Sequence, residues 1–145
     1  MATVSNCNLP EDLYYLVEKH VWARLEDGLV VVGLTDVAQN LAKKILSVSP
    51  KGAGKRVTKG RSVATVESSK WVGPVPTPVS GEIVEVNAAV LSDPTAINSD
   101  PYGNGWIAKV RAEDWDTDVA DLKTGEEGIA AYQAFLEAEG ITCGQ

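Results

Sequence analysis

Two stretches of this chain repeat one pattern, and that repeat constrains the fold more than any other feature. Ile45-Leu46-Ser47-Val48 is followed by a loop and by Val63-Ala64-Thr65-Val66, and Ile83-Val84-Glu85-Val86 is followed by a longer loop and by Ile107-Ala108-Lys109-Val110. Runs this rich in β-branched residues read as strands. The first strands begin at 45 and 83 and the second at 63 and 107, so the second copy carries the longer loop, with Ser92-Asp93-Pro94 and Ser99-Asp100-Pro101-Tyr102-Gly103 inside it. Internal repetition is first a statement about fold. Two such halves packed face to face bury their aliphatic sides as a small sandwich or flattened barrel, mainly β with short helices, and leave the connection between them exposed at one edge.

Lys70 lies in that connection. Before it runs Arg61-Ser62-Val63-Ala64-Thr65-Val66-Glu67 and after it Gly81-Glu82-Ile83-Val84-Glu85-Val86, so Glu67-Ser68-Ser69-Lys70 reads as the approach to a turn. A turn lysine is ordinarily a solvated charge that needs no function; its place at the centre of the repeat is what singles it out. The stretch that follows, Trp71-Val72-Gly73-Pro74-Val75-Pro76-Thr77-Pro78, is stiffened by three prolines. Trp71 carries two readings, a half-buried aromatic covering the sheet edge or a ring that stacks on whatever Lys70 bears.

The remaining elements read as scaffold. Thr35 before Asp36, with Val37, Ala38, Leu41, Ala42 and Ile45 at helical spacing, predicts a short capped helix. Gly125 to Glu139, with Ile129, Tyr132, Phe135 and Leu136 on one side and Gly140 beyond, predicts a C-terminal amphipathic helix, and a helical turn is expected around Asp116 to Leu122. Lys51-Gly52-Ala53-Gly54-Lys55 lacks the Gly-Lys-Ser/Thr ending of a phosphate loop and reads as a β-turn. The 145 residues fit one domain, 1–145, with its core in about 9–112. No run approaches the roughly twenty apolar residues of a membrane span, and Met1 to Pro10 lacks the basic and apolar regions of a signal peptide, so a soluble cytoplasmic monomer is expected. A net charge of −7 opposes nucleic-acid binding.

Catalytic constellations are missing from the sequence: there is one histidine, no Gly-x-Ser-x-Gly and no metal-ligand spacing. His20 reads equally as a partly buried structural residue or as a polar contact. Cys7 and Cys143, near opposite ends, make no disulfide framework and read as plain reduced thiols, with pairing left open should the termini meet.

Three motifs in order carry a resemblance. Glu67-Ser68-Ser69-Lys70 with Pro78-Val79-Ser80-Gly81-Glu82, Gly33-Leu34-Thr35-Asp36-Val37-Ala38-Gln39, and Asp100-Pro101-Tyr102-Gly103-Asn104-Gly105-Trp106 resemble those of the glycine cleavage system H protein family, over about positions 9 to 140. The resemblance implies lipoic acid in amide linkage on Lys70, with Glu67, Ser68, Ser69, Trp71, Gly81 and His20 around it. It further implies a carrier and not an enzyme, served by a lipoate-attaching ligase or transferase and by dihydrolipoamide dehydrogenase. Where the family has His-Glu-Trp this chain has His20-Val21-Trp22, and Lys70-Trp71-Val72-Gly73-Pro74 replaces a spacer of small and polar residues. With Leu13-Tyr14-Tyr15, these departures resemble the lipoate-binding proteins of the sulfur-oxidising heterodisulfide-reductase-like pathway. That implies a heterodisulfide-reductase-like complex as partner; the alternative is the glycine-cleavage role, with glycine decarboxylase and aminomethyltransferase. An unmodified interaction module is the alternative from another class, and biotin carriage is disfavoured because Ser69 and Trp71, not methionines, flank the lysine.

Overall fold

A computed structural model describes residues 2–144. Its strands are β1 (Ala2–Val4), β2 (Cys7–Leu9), β3 (Tyr14–Leu16), β4 (Val21–Glu26), β5 (Leu29–Leu34), β6 (Ile45–Pro50), β7 (Arg56–Val57), β8 (Ser62–Ser68), β9 (Val72–Pro76), β10 (Gly81–Val86), β11 (Ala108–Ala112) and β12 (Lys123–Thr124). Helices α1 (Asp36–Ala42), α2 (Ala88–Ser92), α3 (Ala96–Ser99), α4 (Trp115–Asp118) and α5 (Gly125–Glu139) intervene, with 3-10 turns at Val17–Lys19 and Val119–Asp121.

The two copies of the repeat separate into two sheets. β6 and β8 join β9 in a three-stranded sheet ordered β6-β8-β9, while β10 and β11 lie inside a seven-stranded sheet ordered β12-β3-β4-β5-β11-β10-β7. Every pairing is antiparallel. Val48, Val63, Val66 and Val75 from the small sheet meet Val30, Val32, Ile83 and Val110 from the large one in a single buried cluster, the flattened sandwich that the repeat predicts. The pleat explains the selection. Along β9, Gly73 and Val75 point inward and are buried, whereas Val72 and Pro74 point out. Each fully buried Val or Ile contributes about 1.5–3 kcal/mol relative to exposure.

The opposite face of β4 and β5 is covered as well. Trp22 and Val31 pack there with Tyr15, Val37, Tyr132 and Leu136, so α5 supplies core side chains and the core extends on both sides of 9–112. Trp22 donates its indole N–H to the Pro101 carbonyl at 3.1 Å, and a Cβ at Gly33 would come within 2.6 Å of its ring. The glycine of Gly33-Leu34-Thr35-Asp36 is thus required by a tryptophan on the neighbouring strand.

Three expectations are corrected. The first helix stops at Ala42, because Lys43 adopts φ 67° and turns the chain so that Ile45 opens β6. The long loop of the second repeat copy contains α2 and α3, the first capped by Asn87, whose side chain accepts from the Ala89 N–H at 3.0 Å. Cys7 and Cys143 are not free thiols: they form a disulfide with their Cα atoms 5.0 Å apart. The end of the chain folds back beside the β1–β2 hairpin, where the Cys143 N–H donates to the Ser5 carbonyl at 3.0 Å, and both sulfurs are buried in the second cluster.

Candidate functional site

The turn that bears Lys70 is built by one serine. The Ser68 N–H donates to the Trp71 carbonyl at 2.7 Å, and the Ser68 Oγ accepts from the N–H groups of Lys70 at 3.2 Å and Trp71 at 3.0 Å. This is the local side-chain bonding that makes serine a turn former. From the other side the Ser69 N–H donates to the Lys44 carbonyl at 2.9 Å, tying the turn to the start of β6. Ser68 itself is buried, so the anchor sits inside while the Lys70 side chain projects into solvent. Glu67 is exposed on the outer face of β8, within reach of the Ser47 hydroxyl at 3.4 Å.

Trp71 is 43% exposed. Its six-membered ring lies over Gly73, where a Cβ would come within 2.2 Å of Cζ2, so Gly73 gives the indole its seat on β9. Beside Lys70 and Trp71 opens a groove of about 570 Å³, within the roughly 300–1,000 Å³ usual for small-molecule sites. Its walls are Leu34 and the α1 residues Ala38, Leu41 and Ala42 on one side, and Trp71, Pro74, Pro76 and Gly60 on the other, with Glu18, Lys19 and His20 at its polar end. A second cleft of about 400 Å³ shares Lys70 and Leu41 and is closed by Gly140, Ile141 and Thr142, the segment leading into the disulfide. β9 is an edge strand of the small sheet, and Pro74 and Pro76 have no N–H to offer an incoming strand.

His20 stands at the end of a 3-10 turn in the left-handed region, with φ 58°. Its Nδ1 lies 2.5 Å from the Tyr132 hydroxyl, which lies 2.9 Å from the Thr35 hydroxyl. Tyr132 stacks on the imidazole and Phe135 meets it edge-on. Burial holds the imidazole pKa down at about 4, so the ring stays neutral where an ordinary histidine, near 6.5, would begin to protonate. Val21 and Trp22, next in the chain, are fully buried.

The structure therefore brings together Glu67, Ser68, Ser69, Lys70, Trp71 and, across the groove, His20. It does not bring in Gly81. That residue begins β10, pairs with Val57 and Ala112, and lines neither cleft. A Cβ there would lie 2.1 Å from the Arg111 carbonyl oxygen, so the glycine serves close strand approach. Leu34, Ala38, Leu41, Ala42, Pro74 and Pro76 are site residues that the sequence pattern did not mark. Among the described residues no group of three or more His, Cys, Asp or Glu is placed to hold a metal ion, and no helix is long and apolar enough to cross a membrane.

An exposed lysine lifted on a clamped β-turn beside an apolar groove, on a two-sheet scaffold, is the kind of site at which a carrier domain can bear a covalently attached arm. Comparison with known proteins agrees. The model of the family described as glycine cleavage H-protein matches residues 13–136, and the chain belongs to that family. Glycine cleavage system H protein 2 of Aquifex aeolicus is 46% identical over 140 residues, spanning 96% of this chain and 87% of that one. Probable glycine cleavage system H protein 2 of Saccharolobus solfataricus is 47% identical over 146 residues, spanning 99% and 98%. The crystal structure of a glycine cleavage system H protein from Mycobacterium marinum superposes with a TM-score of 0.76 at 34% identity, covering 92% of this chain and all of that one. Members of the family are carriers and not catalysts, with lipoate covalently attached to a lysine.

Proposed function

We propose that Lys70 is the lipoylated residue and that the chain shuttles a bound intermediate between the enzymes of a multienzyme system. The exposed Lys70 side chain on a turn pinned by buried Ser68, at the mouth of the groove, is the observation that carries this reading. The dithiolane of a lipoyl group supplies two-electron chemistry and a thiol that holds a substrate fragment. The residues of this chain supply the rest. Ser68 and the Lys44 carbonyl fix the base of the arm, and amide formation removes the Lys70 charge, so that the arm can lie against Leu41, Trp71 and Pro74. The apolar groove walls give a load a surface to lie against in place of bulk water. Attachment calls for a lipoate ligase or transferase, and reoxidation for dihydrolipoamide dehydrogenase.

We assign the pathway to sulfur oxidation with a heterodisulfide-reductase-like complex as partner. The support is Val21: where the glycine cleavage pattern has a glutamate beside the histidine, this chain buries an aliphatic side chain completely. The second reading, transfer of an aminomethyl group between glycine decarboxylase and aminomethyltransferase, is favoured by the names of the relatives. Both readings place the chain in the cytoplasm.

Intact mass with peptide mapping on protein from its native host tests the assignment. One lipoyl group on Lys70 is expected, and the load recovered with it separates the two pathways; an unmodified lysine overturns the carrier reading in favour of an interaction module. Trp71→Ala is expected to slow turnover with partner enzymes several-fold while shifting stability by less than about 1 kcal/mol, because the ring is partly exposed and packs mainly on Gly73. A large fall in melting temperature with unchanged turnover would make Trp71 simply part of the sheet cover.

A further inference from the structure

The polar end of the groove has a direction. Thr35 Oγ1 accepts from the Ala38 N–H at 3.3 Å as the cap of α1, and the partner for its own proton is the Tyr132 oxygen, 2.9 Å away. With the Thr35 proton on the Tyr132 oxygen, the arrangement that leaves no hydroxyl proton without an acceptor is the one in which the Tyr132 O–H donates to His20 Nδ1, 2.5 Å away. In a neutral imidazole that accepts at Nδ1 the proton resides on Nε2. No residue among those described accepts from Nε2, and no buried side-chain nitrogen is left without a partner, so Nε2–H is open to solvent on a residue that lines the groove.

The charges around it complete the picture. Lys19 lines the same end and makes no ion pair among the described residues. Glu18, its neighbour on the same 3-10 turn, offsets that charge without exceeding it. Lys70 is neutral once acylated. The remaining walls are apolar, and an ammonium group enclosed there would lose hydration with no surplus carboxylate to replace it.

We propose that this groove selects loads that accept hydrogen bonds, neutral or anionic, and disfavours loads that carry an ammonium group, with His20 as the positioning donor. The inference deepens the carrier reading, on which its biological meaning rests, but the groove's preference is testable without an attached arm.

The probes are dihydrolipoamide molecules capped on sulfur with carboxymethyl, carbamidomethyl or aminoethyl groups, similar in size and different in charge. They are titrated into the full-length Lys70→Gln variant, whose residue 70 is neutral as in the acylated protein, and followed by NMR at the His20 ring and the Trp71 indole. The carboxymethyl and carbamidomethyl probes are expected to bind about tenfold more tightly than the aminoethyl probe, the worth of one well-made hydrogen bond. Equal or tighter binding of the aminoethyl probe overturns the proposal, as do shifts confined to residues outside the groove. Tyr132→Phe, which keeps the ring and frees Nδ1, is expected to erase most of the discrimination while leaving the apolar part of the affinity. The imidazole nitrogen shifts of the unaltered protein give a reading that requires no variant: a proton on Nε2 is expected, and one on Nδ1 overturns the relay. Selective probe binding together with an unmodified Lys70 in native material would sink the carrier reading and leave the groove's preference standing; a lipoylated Lys70 with no selectivity would do the reverse.

Discussion

Lys70→Arg is expected to abolish lipoylation and carrier turnover outright while leaving the melting temperature within the range of an ordinary surface change, about 0.5 kcal/mol or less. The turn explains why the two effects separate. The hydrogen bonds that shape it run through the backbone N–H groups of Ser68, Ser69, Lys70 and Trp71 and through the Ser68 hydroxyl, all of which survive the substitution. Arginine keeps the charge and the long stem, but its guanidinium is not an acylation target. Mass spectrometry of the variant after exposure to a lipoate ligase, with thermal unfolding alongside, checks both halves. A variant that unfolds would mean that the lysine side chain holds the turn, contrary to its exposure.

Opening the Cys7–Cys143 bond should cost more than any single exposed substitution. The bond spans 136 residues of sequence, and closing a loop of that length removes about 4–5 kcal/mol of chain entropy from the unfolded state. Conversion by the usual entropy of unfolding for a chain of this size gives a fall of roughly 15 °C in melting temperature. Cys143→Ser should reproduce most of that fall, and native-state hydrogen exchange should rise first at residues 2–9 and 140–144. A Cys143→Ser variant that melts with the unaltered protein would show that the linkage constrains nothing.

How much of this was legible in the residues differs from one feature to another, for physical reasons. The repeat predicts a two-sheet sandwich and an exposed turn at Lys70 because strand periodicity and turn chemistry are local properties. Thr35 as a cap and Gly140 at the end of α5 are local too, and the structure has both, with Gly140 at φ 67°. The disulfide was not legible, since pairing of two distant thiols depends on where the termini are carried by everything between them. The groove was hidden for a related reason. Ala38, Leu41 and Ala42 have the spacing of core residues, and only the gap between α1 and β9 turns them into walls. Gly81 misled in the opposite way: it travels with the lysine motif, yet what requires it is the Arg111 carbonyl on the neighbouring strand. His20 has its ring held by Tyr132, 112 residues further along the chain.

The linkage at residues 7 and 143 also changes how the molecule bears load. Tension applied on the N-terminal side first peels β1 from β2 and then passes from Cys7 to Cys143 through the covalent bond, without loading α5 or the sheets between them. All chain between the two sulfurs forms a closed ring, while a strand outside it, such as β1, can be peeled away. Mechanically the chain from Cys7 to Cys143 is a closed loop, and the turn that carries Lys70 lies inside it, shielded from any pull applied outside it for as long as the sulfurs stay joined.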